Sequence, residues 1–170
     1  MHEVSDWITD DQVTLVHFRP AVLQVFSDFA QVKAGSPESG GLLLGSEHGG
    51  NFDIVEATKP TKRDVRNLFS FTRNVYGHRD KAKKLWQQSQ GTVGYLGEWH
   101  THPEDYPTPS EKDRFEWQKL VNKREVGNPL IVVIIGRKGI YIELLQAPNR
   151  RGEVSSGNRL LPTNDRIDRN

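Results

Sequence analysis

Cysteine is absent from this chain of 170 residues. The chain therefore has no disulfide bond, no thiolate ligand for zinc and no cysteine nucleophile. Any hydrolytic chemistry must use a hydroxyl group, a carboxylate or a metal ion.

Long apolar runs and an excess of one charge are missing as well. The longest apolar run, Pro129 to Ile135, is far shorter than the roughly 20 residues of a membrane helix, so we expect no membrane association. The 23 Lys and Arg residues against 22 Asp and Glu leave a net charge of +1, which provides no global field to attract nucleic acid. The first residues contain no basic segment followed by an apolar stretch, so we predict no secretory signal and a cytoplasmic location.

The length corresponds to one domain, and the composition changes near its end. A chain of 170 residues falls within the usual size of a single domain, roughly 100 to 200 residues. From Pro148 onward the sequence is rich in Arg, Asn, Ser, Gly and Asp. We therefore predict one domain over residues 1–147 and a polar, mostly disordered tail over residues 148–170.

Hydrophobic periodicity and turn residues predict a mixture of strands and helices. Strands are predicted at Gln12–Phe18, Ser39–Ser46, Asn51–Ala57, Thr92–Trp99, Leu130–Ile135 and Ile140–Leu145. Helices are predicted from Pro20, over Gly77–Gln90 and over Ser110–Val121, and a proline-rich loop over Pro103–Pro109. This order of elements predicts an α/β fold with a mixed, largely antiparallel sheet flanked by helices.

The most specific chemical signal is a short segment that contains two histidines. In a strand, residues two apart point to the same side, so His100 and His102 present two imidazoles to one face. Asp113 lies in the first turn of the following predicted helix and could return to that face as a third ligand. Three nitrogen and oxygen ligands with a fourth position open are typical of catalytic zinc. Zinc is the first candidate and another divalent ion the second.

Other interpretations of the same residues remain open. A His-x-His pattern at a strand end is weak evidence by itself. Ser110 and Asp113 have the spacing of a capping box, which would suit any helix start and is compatible with metal binding. The zinc patterns His-Glu-x-x-His and Pro-Cys-x-x-Cys are absent, which removes two rival zinc classes.

Together these residues resemble the JAMM motif of the JAB/MPN metallopeptidases. His100 and His102 are followed after ten residues by Asp113, Ser110 stands three residues before it, and Glu38 precedes a Gly-Gly-Leu-Leu-Leu-Gly segment. The resemblance covers about residues 13 to 145. The sequence looks most like the short prokaryotic JAB deconjugating peptidases of bacterial cyclic-oligonucleotide anti-phage defence operons. This implies a JAB/MPN-type, cytidine-deaminase-like fold.

The resemblance also implies an activity and a set of partners. It implies a zinc-dependent isopeptidase or peptidase, with one zinc ion per chain, that cleaves a ubiquitin-like conjugate after the C-terminus of the modifier. In those operons the conjugate is a nucleotidyltransferase C-terminus that an E1–E2-like enzyme has linked to a target. His100, His102 and Asp113 would be the metal ligands, Glu38 the general acid–base and Ser110 the donor to the oxyanion.

Two glutamates compete for the role of proton shuttle. From the residues alone, Glu98 is the nearer candidate because it lies two residues before His100. Only the resemblance selects Glu38. Glu98 would then support the ligands through a hydrogen bond or form a salt bridge.

Other residues receive structural predictions, and other functions stay open. Trp99 is expected in the core, and His78, in a basic helical segment, is expected on a solvated face. One alternative function is a non-catalytic MPN-type interaction module, and another is a broad zinc endopeptidase that processes precursors. A nucleic-acid binder is disfavoured because acidic residues interleave with the basic residues around Lys81 to Lys84.

Overall fold

The computed structural model describes residues 4–147 and 157–163. Ten strands and three helices occur in these residues, in the order β1 (Asp6–Thr9), β2 (Leu15–Phe18), α1 (Pro20–Phe29), β3 (Gly40–His48), β4 (Asn51–Ala57), β5 (Val65–Asn67), β6 (Ser70–Thr72), α2 (Val75–Gln88), β7 (Gly94–Thr101), α3 (Glu111–Val121), β8 (Leu130–Ile135), β9 (Ile140–Leu145) and β10 (Asn158–Pro162). None of the helices in this described part is long and apolar enough to cross a membrane.

Eight of the strands close into a barrel in the order β1-β10-β9-β8-β7-β3-β4-β2, while β5 and β6 form a separate hairpin. The pairs β2–β4 and β7–β8 are parallel, and the other barrel pairs are antiparallel. The predicted α/β class with a mixed, largely antiparallel sheet is therefore confirmed. Closure of the sheet was not predicted, because it depends on the two short strands β1 and β10.

Strand β10 lies inside the segment predicted to be a disordered tail, so that prediction is wrong for residues 158–162. The strand pairs with β1 and with β9, and the barrel extends beyond the predicted boundary at residue 147. Leu160 is fully buried, whereas Asn158 and Arg159 are exposed. One buried residue in a polar context gives too weak an alternation to indicate a strand from sequence. Residues 148–156 and 164–170 of the predicted tail lie outside the described ranges.

The core lies on both faces of β8, which explains why this strand is an uninterrupted apolar run. Ile131, Val133 and Ile135 belong to the cluster inside the barrel. Their neighbours along β8 pack on the other face, against Trp117 and Val121 of α3. Helix α3 is therefore held against the strand that pairs with β7.

The proline-rich loop between β7 and α3 is fixed to the turn between β8 and β9. The backbone N–H of Arg137 donates to the carbonyl of Glu104 (2.7 Å), and those of Lys138 and Gly139 both donate to the carbonyl of Asp105 (2.9 Å each). These bonds determine the path of the chain from the end of β7 to the start of α3.

Candidate metal centre and active site

His100, His102 and Asp113 meet where β7 ends and α3 begins. Nε2 of His100 and Nε2 of His102 lie 3.0 Å apart. The carboxylate of Asp113 places Oδ1 at 3.2 Å from His100 Nε2 and Oδ2 at 3.3 Å from His102 Nε2. The structure thus brings together the three residues in which the sequence predicts a metal site.

Each histidine is held by the barrel. His100 lies within β7, with its ring centroid 6.1 Å from that of Trp117. His102 follows the strand, and its backbone N–H donates to the carbonyl of Ile135 at the end of β8 (3.0 Å). The pleat of β7 and the parallel pairing with β8 therefore place the two imidazoles on one face.

Asp113 is oriented by the capping box at the start of α3. Its backbone N–H donates to Ser110 Oγ (3.2 Å), and its Oδ2 accepts from the backbone N–H (2.8 Å) and the hydroxyl (2.6 Å) of Ser110. The capping interpretation is confirmed, and the same carboxylate faces the histidines. The side chain of Asp113 thus closes the capping box of α3 and is also the third member of the cluster.

The charges of the cluster suit a bound cation. Burial raises the pKa of Asp113, but hydrogen bonds with His100 and His102 outweigh it and hold the pKa well below its usual range. Burial lowers the pKa of His102, whereas Asp113 and the nearby carboxylates raise it, with a net increase. Two imidazole nitrogens facing each other beside an ionised carboxylate form a nitrogen and oxygen donor set that fits zinc or another divalent ion.

Glu38 lies just before β3 and lines the same cavity as the cluster. Its side chain is buried, with 6% exposure. Burial is the largest cause that raises the pKa of Glu38 to about 7; His102 and Lys112 oppose the increase, and Asp113 adds to it. A carboxyl group with a pKa near 7 can both accept and return a proton at neutral pH.

Glu98 has different partners. Its Oε1 forms an ion pair with Arg73 and accepts from the hydroxyl of Tyr95 at 3.2 Å. Glu98 therefore acts as a salt-bridge former, the second of its two predicted roles, and its hydrogen bonds do not reach His100 or His102. It lines the cavity together with Arg73.

The cavity has a volume of about 670 Å³ and opens between the β5–β6 hairpin and α3. Apolar side chains from both elements line it. Phe69 and Phe71 come from the hairpin, and Trp117 and Leu120 from α3. Phe69 is 74% exposed, and the same cavity is lined by the charged cluster and by Glu104, Lys112 and Glu116.

The prediction for His78 is wrong, and that for Trp99 is confirmed. His78 is buried rather than solvated: its Nδ1 lies 2.6 Å from Thr58 Oγ1, and its Nε2 lies 3.0 Å from Asp64 Oδ2. Both partners come from the segment between β4 and β5, so the sequence around His78 shows only the exposed basic face of the helix. Trp99 is 1% exposed and donates to the carbonyl of Thr58.

Sequence reasoning missed the residues that hold Glu38 in place. The backbone N–H of Glu38 donates to the carbonyl of Asn67 (2.8 Å), and its carbonyl accepts from Arg66 Nε (2.8 Å). Both partners belong to β5, which is not part of the barrel. No local pattern links residues 66 and 67 to Glu38, so this contact has no signal in a single sequence.

Comparison with known proteins gives consistent results. The family model described as prokaryotic homologs of the JAB domain matches residues 20–150. A Pseudomonas aeruginosa protein named CD-NTase/cGAS isopeptidase is 47% identical over 145 residues, which cover 85% of this chain and 92% of that protein. Proteins of the same name from Escherichia coli and Vibrio cholerae are 39% and 31% identical, covering 78% and 84% of this chain and 83% and 89% of their own lengths.

The fold is also similar to a solved structure. The solution structure of a Desulfitobacterium hafniense protein superimposes with a TM-score of 0.51 at 15% sequence identity. The match covers 83% of this chain and 90% of the other. At this identity the likeness concerns the fold alone.

Proposed function

Since the chain belongs to the family of prokaryotic homologs of the JAB domain, we propose that it is a zinc-dependent isopeptidase that removes a conjugated protein by cutting after the C-terminus of the modifier. The observation that carries the proposal is the placement of a three-residue ligand cluster and a buried carboxyl group in one cavity. The relatives named as isopeptidases support the reaction class.

We assign one zinc ion per chain to His100, His102 and Asp113. Three protein ligands without a thiolate are typical of catalytic zinc, which keeps one position for water or substrate. When bound, zinc supplies Lewis acidity, which makes water a nucleophile at neutral pH and polarises a carbonyl group.

Glu38 is assigned to proton transfer. Its carboxylate accepts the proton of the attacking water, and the resulting acid gives that proton to the amine that leaves. In the metal-free chain burial raises the pKa of Glu38 to about 7, which keeps the protonated form accessible near neutral pH for the second step. A bound cation would lower this pKa and favour the carboxylate that accepts the proton in the first step.

Ser110 is assigned to the oxyanion of the tetrahedral intermediate. Its hydroxyl, at the exposed start of α3, donates to Asp113 Oδ2 in this structure. Rotation about one side-chain bond suffices to redirect this donor. A preorganised oxyanion donor contributes up to about 3–4 kcal/mol to the lowering of the barrier.

The proposed substrate is a protein conjugate made in the cytoplasm. The names of the relatives contain CD-NTase and cGAS, which supports a nucleotidyltransferase C-terminus as the modifier. An E1–E2-like enzyme would be the source of the conjugate. A cavity lined by apolar side chains as well as by the charged cluster suits an extended C-terminal tail that delivers its last carbonyl to the cluster.

The test uses the cognate nucleotidyltransferase joined through its natural C-terminus either to an unrelated protein or to a lysine side chain of a target. The zinc-loaded chain is expected to cut each junction once, with a preference that distinguishes linear peptide from isopeptide bonds. A chelator should stop cleavage and thiol-blocking reagents should not, since the chain contains no cysteine. Glu38→Gln is the matched control.

Two outcomes would contradict the proposal. Cleavage of an unfolded protein at many positions, without preference for the junction, would indicate a broad zinc endopeptidase. Stoichiometric zinc without cleavage of either substrate would indicate a non-catalytic interaction module.

A further inference from the structure

Gln31, directly after α1, is a buried polar side chain outside the ligand cluster. It is 2% exposed. Its Nε2 donates to the carbonyls of Ser36 (2.8 Å) and Leu68 (3.0 Å), and its Oε1 accepts from the hydroxyl of Thr101 (3.0 Å). One amide therefore joins the segment before Glu38, the turn of the β5–β6 hairpin and the end of β7.

The orientation of this amide follows from its partners. Carbonyl oxygens can only accept hydrogen bonds, so the NH₂ group must face Ser36 and Leu68. The amide oxygen is left for Thr101. The two amide hydrogens and the amide oxygen are thus all used, which is the condition under which a buried amide is tolerated.

Thr101 extends this hydrogen-bonded network to Ser39, the residue after Glu38. Its side chain points away from the two histidines that flank it, and its Oγ1 accepts from the backbone N–H of Ser39 at 3.0 Å. The backbone N–H of Thr101 donates in turn to the carbonyl of Ser39 (2.8 Å). The residue after Glu38 is therefore fastened to the residue between the two histidines.

We propose that Gln31, acting through Thr101, is a positioning residue that sets Glu38 against His100 and His102. This inference rests on the proposed role of Glu38 as proton shuttle. Glu38 precedes β3, and the hydrogen bonds of its own backbone, within the described part of the chain, go to Asn67 and Arg66 of β5. Gln31 ties the turn of this hairpin to the end of β7, because it bonds both Leu68 and Thr101, while the ion pair between Arg73 and Glu98 links the other end of the hairpin to β7.

An apolar side chain of similar size could fill the space but not replace these bonds. It would leave the carbonyls of Ser36 and Leu68 without this donor and the hydroxyl of Thr101 without its acceptor. Buried groups that lose their partners move toward water or toward new partners. The segment that carries Glu38 would shift, and a shift of about 1 Å can cost about 100-fold in rate.

The experiment compares Gln31→Met and Thr101→Val with wild type in two ways. In metal-free protein, amide hydrogen exchange at residues 38 and 39 is expected to accelerate by at least about fivefold, the change that corresponds to the loss of one hydrogen bond. In zinc-loaded protein, kcat is expected to fall about 10- to 100-fold, with the KM and zinc content nearly unchanged. Thr101→Ser keeps the hydroxyl and should behave as wild type in both measurements.

Two further variants separate positioning from general stability. The double variant should show no larger change in exchange or kcat than the more affected single variant, since both substitutions break the same hydrogen-bonded link. Val16→Ala creates a cavity on β2, which does not pair with β3 or β7, and should lower the unfolding temperature without either effect. If Gln31→Met does not fold, the nearly isosteric variant Thr101→Val tests the inference by itself.

Unchanged exchange and unchanged kcat in Thr101→Val would overturn the inference, and so would equal effects in Val16→Ala. The exchange measurement needs no substrate. If the wild-type chain cuts no conjugate, the proposed function fails, and faster exchange would still support the placement of Glu38 by Gln31.

Discussion

The two halves of the candidate site are held in place in different ways. The ligand half, His100, His102 and Asp113, comes from 14 consecutive residues, and its geometry follows from one strand, one loop and one helix cap. The half that contains Glu38 depends on Arg66, Asn67 and, through Thr101, on Gln31. A sequence motif can therefore specify the ligands, while the partner carboxyl group is positioned by residues distant along the chain.

The two halves also differ in whether their polar groups are already paired within the protein. The ligand half packs two imidazoles and an ionised carboxylate within hydrogen-bond distance, an arrangement that a cation completes. In the other half, the backbone of Glu38 and the amide of Gln31 are already paired with protein groups. Changes in one half should therefore leave the other in place, and four experiments test this independence.

The largest effect is expected from the removal of a ligand. His102→Ala should lower the zinc content from about one ion per chain to near zero, because two ligands hold zinc much less tightly than three. Turnover should fall below detection. Metal analysis after dialysis checks the first expectation, and the junction assay checks the second.

The same variant also tests the separation of the halves. Amide exchange at residues 38 and 39 should match that of metal-free wild type. Faster exchange there would show that the ligand half supports Glu38, and retention of stoichiometric zinc would remove His102 from the ligand set.

Glu38→Gln tests the same independence from the other side: it changes the Glu38 half and should leave the ligand half intact. The substitution keeps the size and polarity of the side chain but removes its ability to carry the proton. The zinc content should stay near one ion per chain, while kcat falls about 10²- to 10⁴-fold. Loss of zinc in this variant would place Glu38 among the ligands.

The limits of sequence-based prediction follow the same division. Periodicity and the cap signal placed β3, β4, α3 and the β8–β9 hairpin nearly where the structure has them, because each depends on its own residues. Strands β1, β5, β6 and β10 were missed, because their residues show too little hydrophobic alternation and these short strands gain their stability from their neighbours. His78, Gln31 and Arg66 were misjudged or overlooked, since their partners lie 5 to 70 residues away.

A smaller effect is expected in the pH dependence of stability without zinc. Burial raises the pKa of Glu38 from 4.5 to about 7, so between these values the folded state binds more protons than the unfolded state. Stability is therefore lost as the pH rises through this window. Glu38→Gln should abolish the loss and be more stable than wild type at pH 8 by on the order of 3 kcal/mol.

Urea unfolding at pH 4 and pH 8 measures this difference. The advantage of the variant should be present at pH 8 and nearly absent at pH 4, where both side chains are neutral. An equal difference at both pH values would show that Glu38 titrates normally and that its half of the site is more hydrated than its burial indicates. Added zinc should reduce the advantage, since a nearby cation stabilises the carboxylate.

The smallest effect is expected for Glu98, the glutamate two residues before His100. Its ion pair with Arg73 is partly buried and forms part of the cavity wall, so Glu98→Gln should change kcat/KM by only a few-fold and leave the zinc content unchanged. Arg73→Gln is the matched variant, and the two substitutions together should be less harmful than the sum of the single ones, because each leaves the other charge without its partner. Kinetic measurements on wild type, the two single variants and the double variant, with Glu38→Gln measured alongside, decide between the two glutamates. An inactive Glu98→Gln with a nearly normal Glu38→Gln would assign the proton shuttle to Glu98, next to the ligands. The contrast between the two halves of the site would then disappear.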